Sequence, residues 1–178
     1  MGSGSRVKAV PGAEAVLLQR LRRAEAVAAP SERSLNRLER AAKLAQKLST
    51  LDPGYHWWAA EATALYANQC VACDGGPMPR VGMAYSVALR HVDRAISHED
   101  MTRATTWNMF HLWSLRARII ASALECGVDS KKTEGGVDMT RRKLLAWLAQ
   151  STRELAVLSD QMQKEGASAF TAVHRRTA

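Results

Sequence analysis

Between Ser31 and Leu51 the apolar residues Leu35, Leu38, Ala42, Ala45 and Leu48 recur three and four places apart, while Arg33, Arg37, Arg40, Lys43 and Lys47 fall mostly outside that stripe. Residues so spaced share one face of an α-helix, which turns about every 3.6 residues, whereas a half-buried strand needs alternation by two. The same period returns in Val87, His91 and Ala95, in Met109, Trp113, Ala117, Ile120 and Leu124, and in Leu144, Leu148, Ser151, Leu155, Leu158 and Met162. Ala, Leu, Arg, Gln and Glu, all good helix formers, dominate the chain, and windows rich in Val, Ile, Thr and Tyr are few. The expected fold is all-α.

Punctuation sets the number of helices. A first helix is expected over 13–29, with Val16, Leu17, Leu21 and Ala24 on one stripe, ended by Pro30. Ser31 caps the second, with Ser34 as a competing cap, and "STLDPG", residues 49–54, turns the chain. A third helix is expected over 55–73, followed by the loop "DGGPMPRVG", a fourth over 82–97, and a short break at His98–Asp100. A fifth reaches Cys126, with Gly127 as its C′ residue, and residues 128–138 form an exposed loop. A sixth follows the cap Asp138 and stops at Gly166. About six helices in antiparallel hairpins thus make one domain, residues 13–165, with loops near 74–80 and 128–138, as a helical bundle or a short solenoid. A flexible N-terminus (1–12) and a basic tail (166–178) flank it. The heptad-like seam of the last helix is expected to pack along a partner helix, in this chain or in another subunit.

The stretch "LDPGYHWWAAEATALY", residues 51–66, resembles the junction between successive tetratricopeptide repeats. Pro53, Tyr55, Trp58 and Tyr66 fall at or within one place of that pattern, Ala41, Ala45 and Leu48 take the packing face before the Pro, and Ala88, Val92 and Ala95 are similar to the second helix of a repeat. Three features depart from the pattern: Thr63 replaces the usual small Gly, "CDGGPMPRVG" is inserted where a tight turn belongs, and Asp100 stands where a Pro is usual. The likeness spans about residues 35–100. It implies stacked hairpins and a protein-binding scaffold without chemistry of its own.

The chain carries a formal +8, unevenly placed: residues 1–50 hold ten basic and four acidic residues, residues 51–100 three and six, residues 101–138 five and four, and residues 139–178 seven and three. Such a balance suits nucleic acid, an anionic surface or an acidic protein. The clusters available to phosphates are Arg20, Arg22 and Arg23, then Arg141, Arg142 and Lys143, then "HRR" at 174–176. No recognised helix-turn-helix, zinc-finger or single-strand stacking pattern accompanies them, and solvated helix faces are the favoured account. No apolar run is long enough to span a bilayer and three cysteines do not make a disulfide framework, so an intracellular, cytoplasmic setting is expected. The basic bias of residues 1–24 leaves mitochondrial or other organelle matrix as an alternative.

Cys70 and Cys73 form a Cys-x-x-Cys pair at a helix end, and Cys126 with one of His56, His91, His98 or His111 could complete a zinc set. No second Cys-x-x-Cys or His-x-x-x-His reinforces this, and buried small residues at a helix end account for the pair without metal. No cofactor and no catalytic motif is expected: the chain lacks a Gly-x-x-x-x-Gly-Lys loop, a Gly-x-Ser-x-Gly elbow and a His-Glu-x-x-His helix. Trp57 and Trp58 point about 100° apart on a helix, so one narrow stripe cannot bury both, and with Trp147 they are the candidate contacts for other protein subunits. Trp107, Phe110 and Trp113 read as core. The function expected is a non-enzymatic helical scaffold or adaptor subunit of a larger assembly, the alternative a basic RNA- or DNA-associated protein.

Overall fold

A computed structural model describes residues 31–74, 79–102, 105–128 and 139–176. These form five α-helices: α1 (Glu32–Leu51), α2 (His56–Asp74), α3 (Pro79–Thr102), α4 (Thr106–Glu125) and α5 (Arg141–Arg176), with a single 3-10 turn, Pro53–Tyr55, between α1 and α2. The chain is all-α among the described residues, and each helix packs chiefly on the next in sequence. The helix expected over 13–29, the termini 1–12 and 177–178, and most of the 128–138 loop lie outside the described residues.

Local chemistry explains most helix ends. Ser31 and Ser34, read as rival caps, act together: the Ser34 N–H donates to Ser31 Oγ and the Ser31 N–H donates to Ser34 Oγ, each over 3.1 Å. Asp52 accepts the Gly54 N–H over 2.8 Å and starts the 3-10 turn. α4 ends in a Schellman motif, in which Gly127 (φ +65°) donates to the Leu124 carbonyl and Val128 to the Ala123 carbonyl, each over 3.0 Å. That places Val128 in the core. Gly127→Ala is expected to cost about 1 kcal/mol, because a Cβ disfavours positive φ although nothing crowds it there. A urea midpoint left unchanged by that substitution would contradict the motif's role.

Four boundaries differ from the sequence reading. α3 begins at Pro79, not Gly82, with a proline tolerated in its first turn. It runs through His98 and Glu99 to Thr102 instead of breaking there, since neither residue removes a backbone donor or clashes with the preceding turn. Thr140 caps α5, its Oγ1 accepting the Lys143 N–H over 3.4 Å; Asp138 lies outside the described residues. α5 also continues through Gly166 to Arg176, so the segment expected as a loose tail is largely its last turns. A lone glycine weakens a helix by only about 1 kcal/mol and does not by itself stop it.

α2 is apolar on opposite sides and lies between α1 and α3. Ala59 and Ala62 meet Ala41, Ala42, Ala45 and Leu48 of α1, with Tyr55, Trp58 and Tyr66 packed around them. Ala60, Ala64 and Ala67 face the larger core, built with Tyr85, Leu89 and Val92 of α3, Leu115, Ile119 and Ile120 of α4, and Leu144 of α5. The alanines let α2 approach both neighbours closely, and the bulk is supplied from the other helices.

α5 runs antiparallel to α4. Arg116 of α4 holds it: Nε donates to Asp93 Oδ1 of α3 over 2.7 Å, and Nη1 donates to Ser151 Oγ over 2.7 Å and to the Trp147 carbonyl over 3.1 Å. The guanidinium lies 5.3 Å from the Trp113 ring centre and 5.9 Å from that of Trp147. Further along, Thr106 Oγ1 donates to Glu165 Oε1 over 2.7 Å. The seam Leu144, Leu148, Ser151, Leu155, Leu158 and Met162 is buried or half-buried, so the helix it packs along belongs to this chain.

Candidate protein-binding groove

α2 and α4 are second neighbours in the helix order, with α3 packed against both. They touch sparingly, and two adjoining cavities of about 470 and 320 Å³ open between them. Glu61, Leu115 and Arg118 line both, so the cavities form one groove. The sequence period makes its walls. Trp57, Glu61, Ala64, Leu65 and Asn68 come from one face of α2, and Asn108, His111, Leu112, Leu115, Arg118, Ile119, Ser122 and Glu125 from one face of α4. Glu99, near the end of α3, closes the Trp57 end. From Asn108 to Glu125 the α4 wall extends about 26 Å at the usual helical rise.

The floor is apolar: Ala64, Leu112, Leu115 and Ile119 are buried and Leu65 is half-buried. The rim is polar, with Asn68, Asn108, His111, Arg118 and Glu125 exposed. Asn68 is held from behind, its Oδ1 accepting the hydroxyl of the buried Tyr85 over 2.5 Å. Burial and the neighbouring Cys126 push the Tyr85 phenol well above its ordinary range, so it remains a hydrogen-bond donor at any physiological pH.

The structure separates the tryptophans named as partner contacts. Trp57 is 37% exposed at the mouth of the groove. Trp58 turns inward, packing against the α1–α2 core and meeting Trp57 edge-on at 5.1 Å between ring centres. Trp147 is half-buried: it packs against the main core, with the Arg116 guanidinium 5.9 Å from its ring centre. Trp107, read as core, is 56% exposed, whereas Phe110 and Trp113 are half-buried. Among these residues, Trp57 alone lines the groove.

The cysteines do not form one site. Cys70 is buried in the main core, where its thiol meets the Tyr66 hydroxyl. Burial and that contact push Tyr66 up to about 12. Cys73 is exposed, and Cys126 is half-buried with its sulfur 3.6 Å from the Tyr85 oxygen. Among the described residues no three His, Cys, Asp or Glu side chains are placed to share a metal ion. Of the phosphate candidates, Arg141, Arg142 and Lys143 are exposed in the first turn of α5, and Arg20, Arg22 and Arg23 lie outside the described residues. No helix among the described residues is long and apolar enough to cross a membrane.

One arrangement escaped the sequence reading, which set His91 on a helical stripe and weighed the histidines as ligands but paired none of them. Nδ1 of His56, in the first turn of α2, lies 3.0 Å from Nδ1 of His91 on α3, with the rings tilted and 5.2 Å apart. A hydrogen bond at that distance needs one Nδ1 to carry a proton and the other to offer a lone pair. His91 is 4% exposed. Burial, with His56, Arg90 and Arg94 nearby, depresses it to about 4. His56 is shifted downward as well, by burial first and then by Arg94, His98 and Arg90. The signal in the sequence was the place of His91 on an apolar stripe between Ala88 and Ala95.

No family model, curated protein or solved structure matches the chain.

Proposed function

We propose that this protein is a non-enzymatic helical scaffold that receives a segment of another protein in the groove between α2 and α4. The observation that supports this reading most is the groove itself: a floor of Leu112, Leu115 and Ile119, a polar rim, and a half-exposed tryptophan at its mouth. Apolar floors with polar rims suit peptide and helix recognition, and tryptophan is enriched among the residues that dominate binding energy. The turn in which Pro53, Tyr55 and Trp58 join α1 to α2 supports stacking of the tetratricopeptide kind, in which successive hairpins leave such grooves.

The alternative reading, association with RNA or DNA, draws on Arg141, Arg142 and Lys143, and on the exposed Arg33, Arg37 and Arg40 of α1, which line a shallow concavity with Glu32 and Asn36. Affinity purification from native extract, with and without nuclease, separates the two. On the scaffold reading the same proteins co-purify in both arms, and Trp57→Ala weakens their binding by about tenfold or more, a hot-spot-sized loss. Loss of every partner with nuclease, or indifference to Trp57→Ala, would overturn it.

A further inference from the structure

We propose that the place where the 3-10 turn and the first turn of α2 meet α3 binds a phosphate dianion, gripped by Arg90 and Arg94 beside the His56–His91 pair. α3 packs on both the turn and α2. Arg90 and Arg94 stand one helical turn apart on α3 with His91 in the same arc, and His56 meets His91 from α2 over 3.0 Å. None of these four residues lines the α2–α4 groove. Arg94 is exposed and Arg90 half-buried, so the cluster opens to solvent at Arg94. Nε of Arg90 is buried and has no hydrogen-bond partner among the described residues. Among those residues neither guanidinium forms an ion pair. Asp93, between them in sequence, gives Oδ1 to Arg116, and Oδ1 of Asp52, which opens the turn, accepts the Gly54 N–H.

The arrangement is unfavourable until an anion enters it. Beyond burial, the charges that depress His56 and His91 include both guanidiniums, and after burial Arg94 does the same to Arg90. Like charges one turn apart repel, and a buried guanidinium nitrogen without an acceptor forfeits its hydration. One anion relieves both. The donors also select among anions. A carboxylate has two coplanar oxygens, which a single guanidinium fork satisfies. Two guanidiniums one turn apart call for two negative charges and for oxygens pointing several ways, which phosphate supplies.

The test uses the full chain and inorganic phosphate, with acetate as control, at constant ionic strength. Calorimetric titration is expected to show phosphate binding at least about tenfold more tightly than acetate. In imidazole NMR spectra phosphate should move His56 and His91 together and leave His111, exposed on α4, in place. Arg94→Gln, at an exposed position, should weaken phosphate by about tenfold or more, the size of a lost charge-assisted hydrogen bond. Arg33→Gln with Arg40→Gln, which disarms the basic concavity of α1, should leave phosphate binding unchanged. Arg90→Met should abolish it without lowering the urea midpoint measured free of phosphate, because it removes a half-buried charge whose Nε lacks a partner. Free phosphate and a phosphomonoester offer the same dianion. Titrating phosphoserine tells them apart: tighter binding than phosphate assigns the ester, equal or weaker binding the free ion. Acetate, or the diester monoanion dimethyl phosphate, binding as tightly as phosphate overturns the inference. So does phosphate binding that ignores Arg94→Gln, or that is lost only in the α1 double variant. A midpoint that falls with Arg90→Met while phosphate still binds makes Arg90 a packing group and overturns it too.

Discussion

Arg116→Ala is expected to cost the domain about 3 kcal/mol and to loosen α5 before any other helix. The estimate follows from what the side chain touches. Its guanidinium joins α3 through Asp93, and α5 through Ser151 and the Trp147 carbonyl, while its faces lie near Trp113 and Trp147. Alanine removes these bonds together and opens a void between two indoles. Arg116→Met keeps most of the volume and takes a desolvated charge out of the core, so it is expected to recover at least about 1 kcal/mol of that loss. Asp93 is the less costly half of the pair to orphan, because its side chain is 47% exposed and rehydrates where it stands, whereas that of Arg116 is only 7% exposed. Urea unfolding gives the two magnitudes. Hydrogen exchange gives the location: in Arg116→Ala, amides of Leu144–Leu158 should exchange faster, with those of α1 and α2 little changed. A uniform acceleration over the whole chain would show that Arg116 serves global stability and not the docking of α5.

The same residue shows where the sequence was legible and where it was not. Periodicity and turn chemistry act over a few residues, so the helical stripes, the Ser31 cap, the break at Pro53 and the stop at Gly127 could all be read locally. The break expected at His98–Asp100 and the stop expected at Gly166 gave too much weight to weak punctuation: no proline is present at either place. Side-chain destinations depend on which helix lies opposite, and that is fixed by residues far away in the chain. Nothing local singles out Arg116: its partners are Asp93, 23 residues earlier, and Ser151, 35 residues later, which only the fold brings to it. Nor does anything local show that Trp147 shares Arg116 with Trp113, and Trp107 reads as core until α4 is seen to leave it outside. In the groove, Trp57 was found because two adjacent tryptophans cannot share one stripe. Glu61, Leu115 and Arg118 were not, because their common property is a gap between two helices that are not sequence neighbours.

Acid should unfold this protein earlier than its carboxylates alone would require, and the His56–His91 pair sets the range. Both histidines have folded-state pKa values below the unfolded value, so the unfolded chain binds more protons as pH falls. The stabilisation is therefore complete above about pH 6.5, the unfolded value, and is lost as pH falls through the folded value of His91, about 4. For His91 alone, a shift from 6.5 to about 4 corresponds to about 3 kcal/mol. The geometry gives the reason. Protonating the Nδ1 that accepts would set two N–H donors facing each other at 3.0 Å, beside Arg90 and Arg94 and with His91 buried. His56 lies next to the 3-10 turn, so the strain falls on the junction between α1 and α2 and on the packing of α2 against α3. His91→Asn removes the titration while leaving His56 an amide partner. Urea midpoints measured from pH 7.5 down to about 4 should fall steeply for the wild-type protein and much less for the variant. Parallel decline in the two proteins would assign the acid sensitivity to other groups and leave the histidine pair a neutral packing contact.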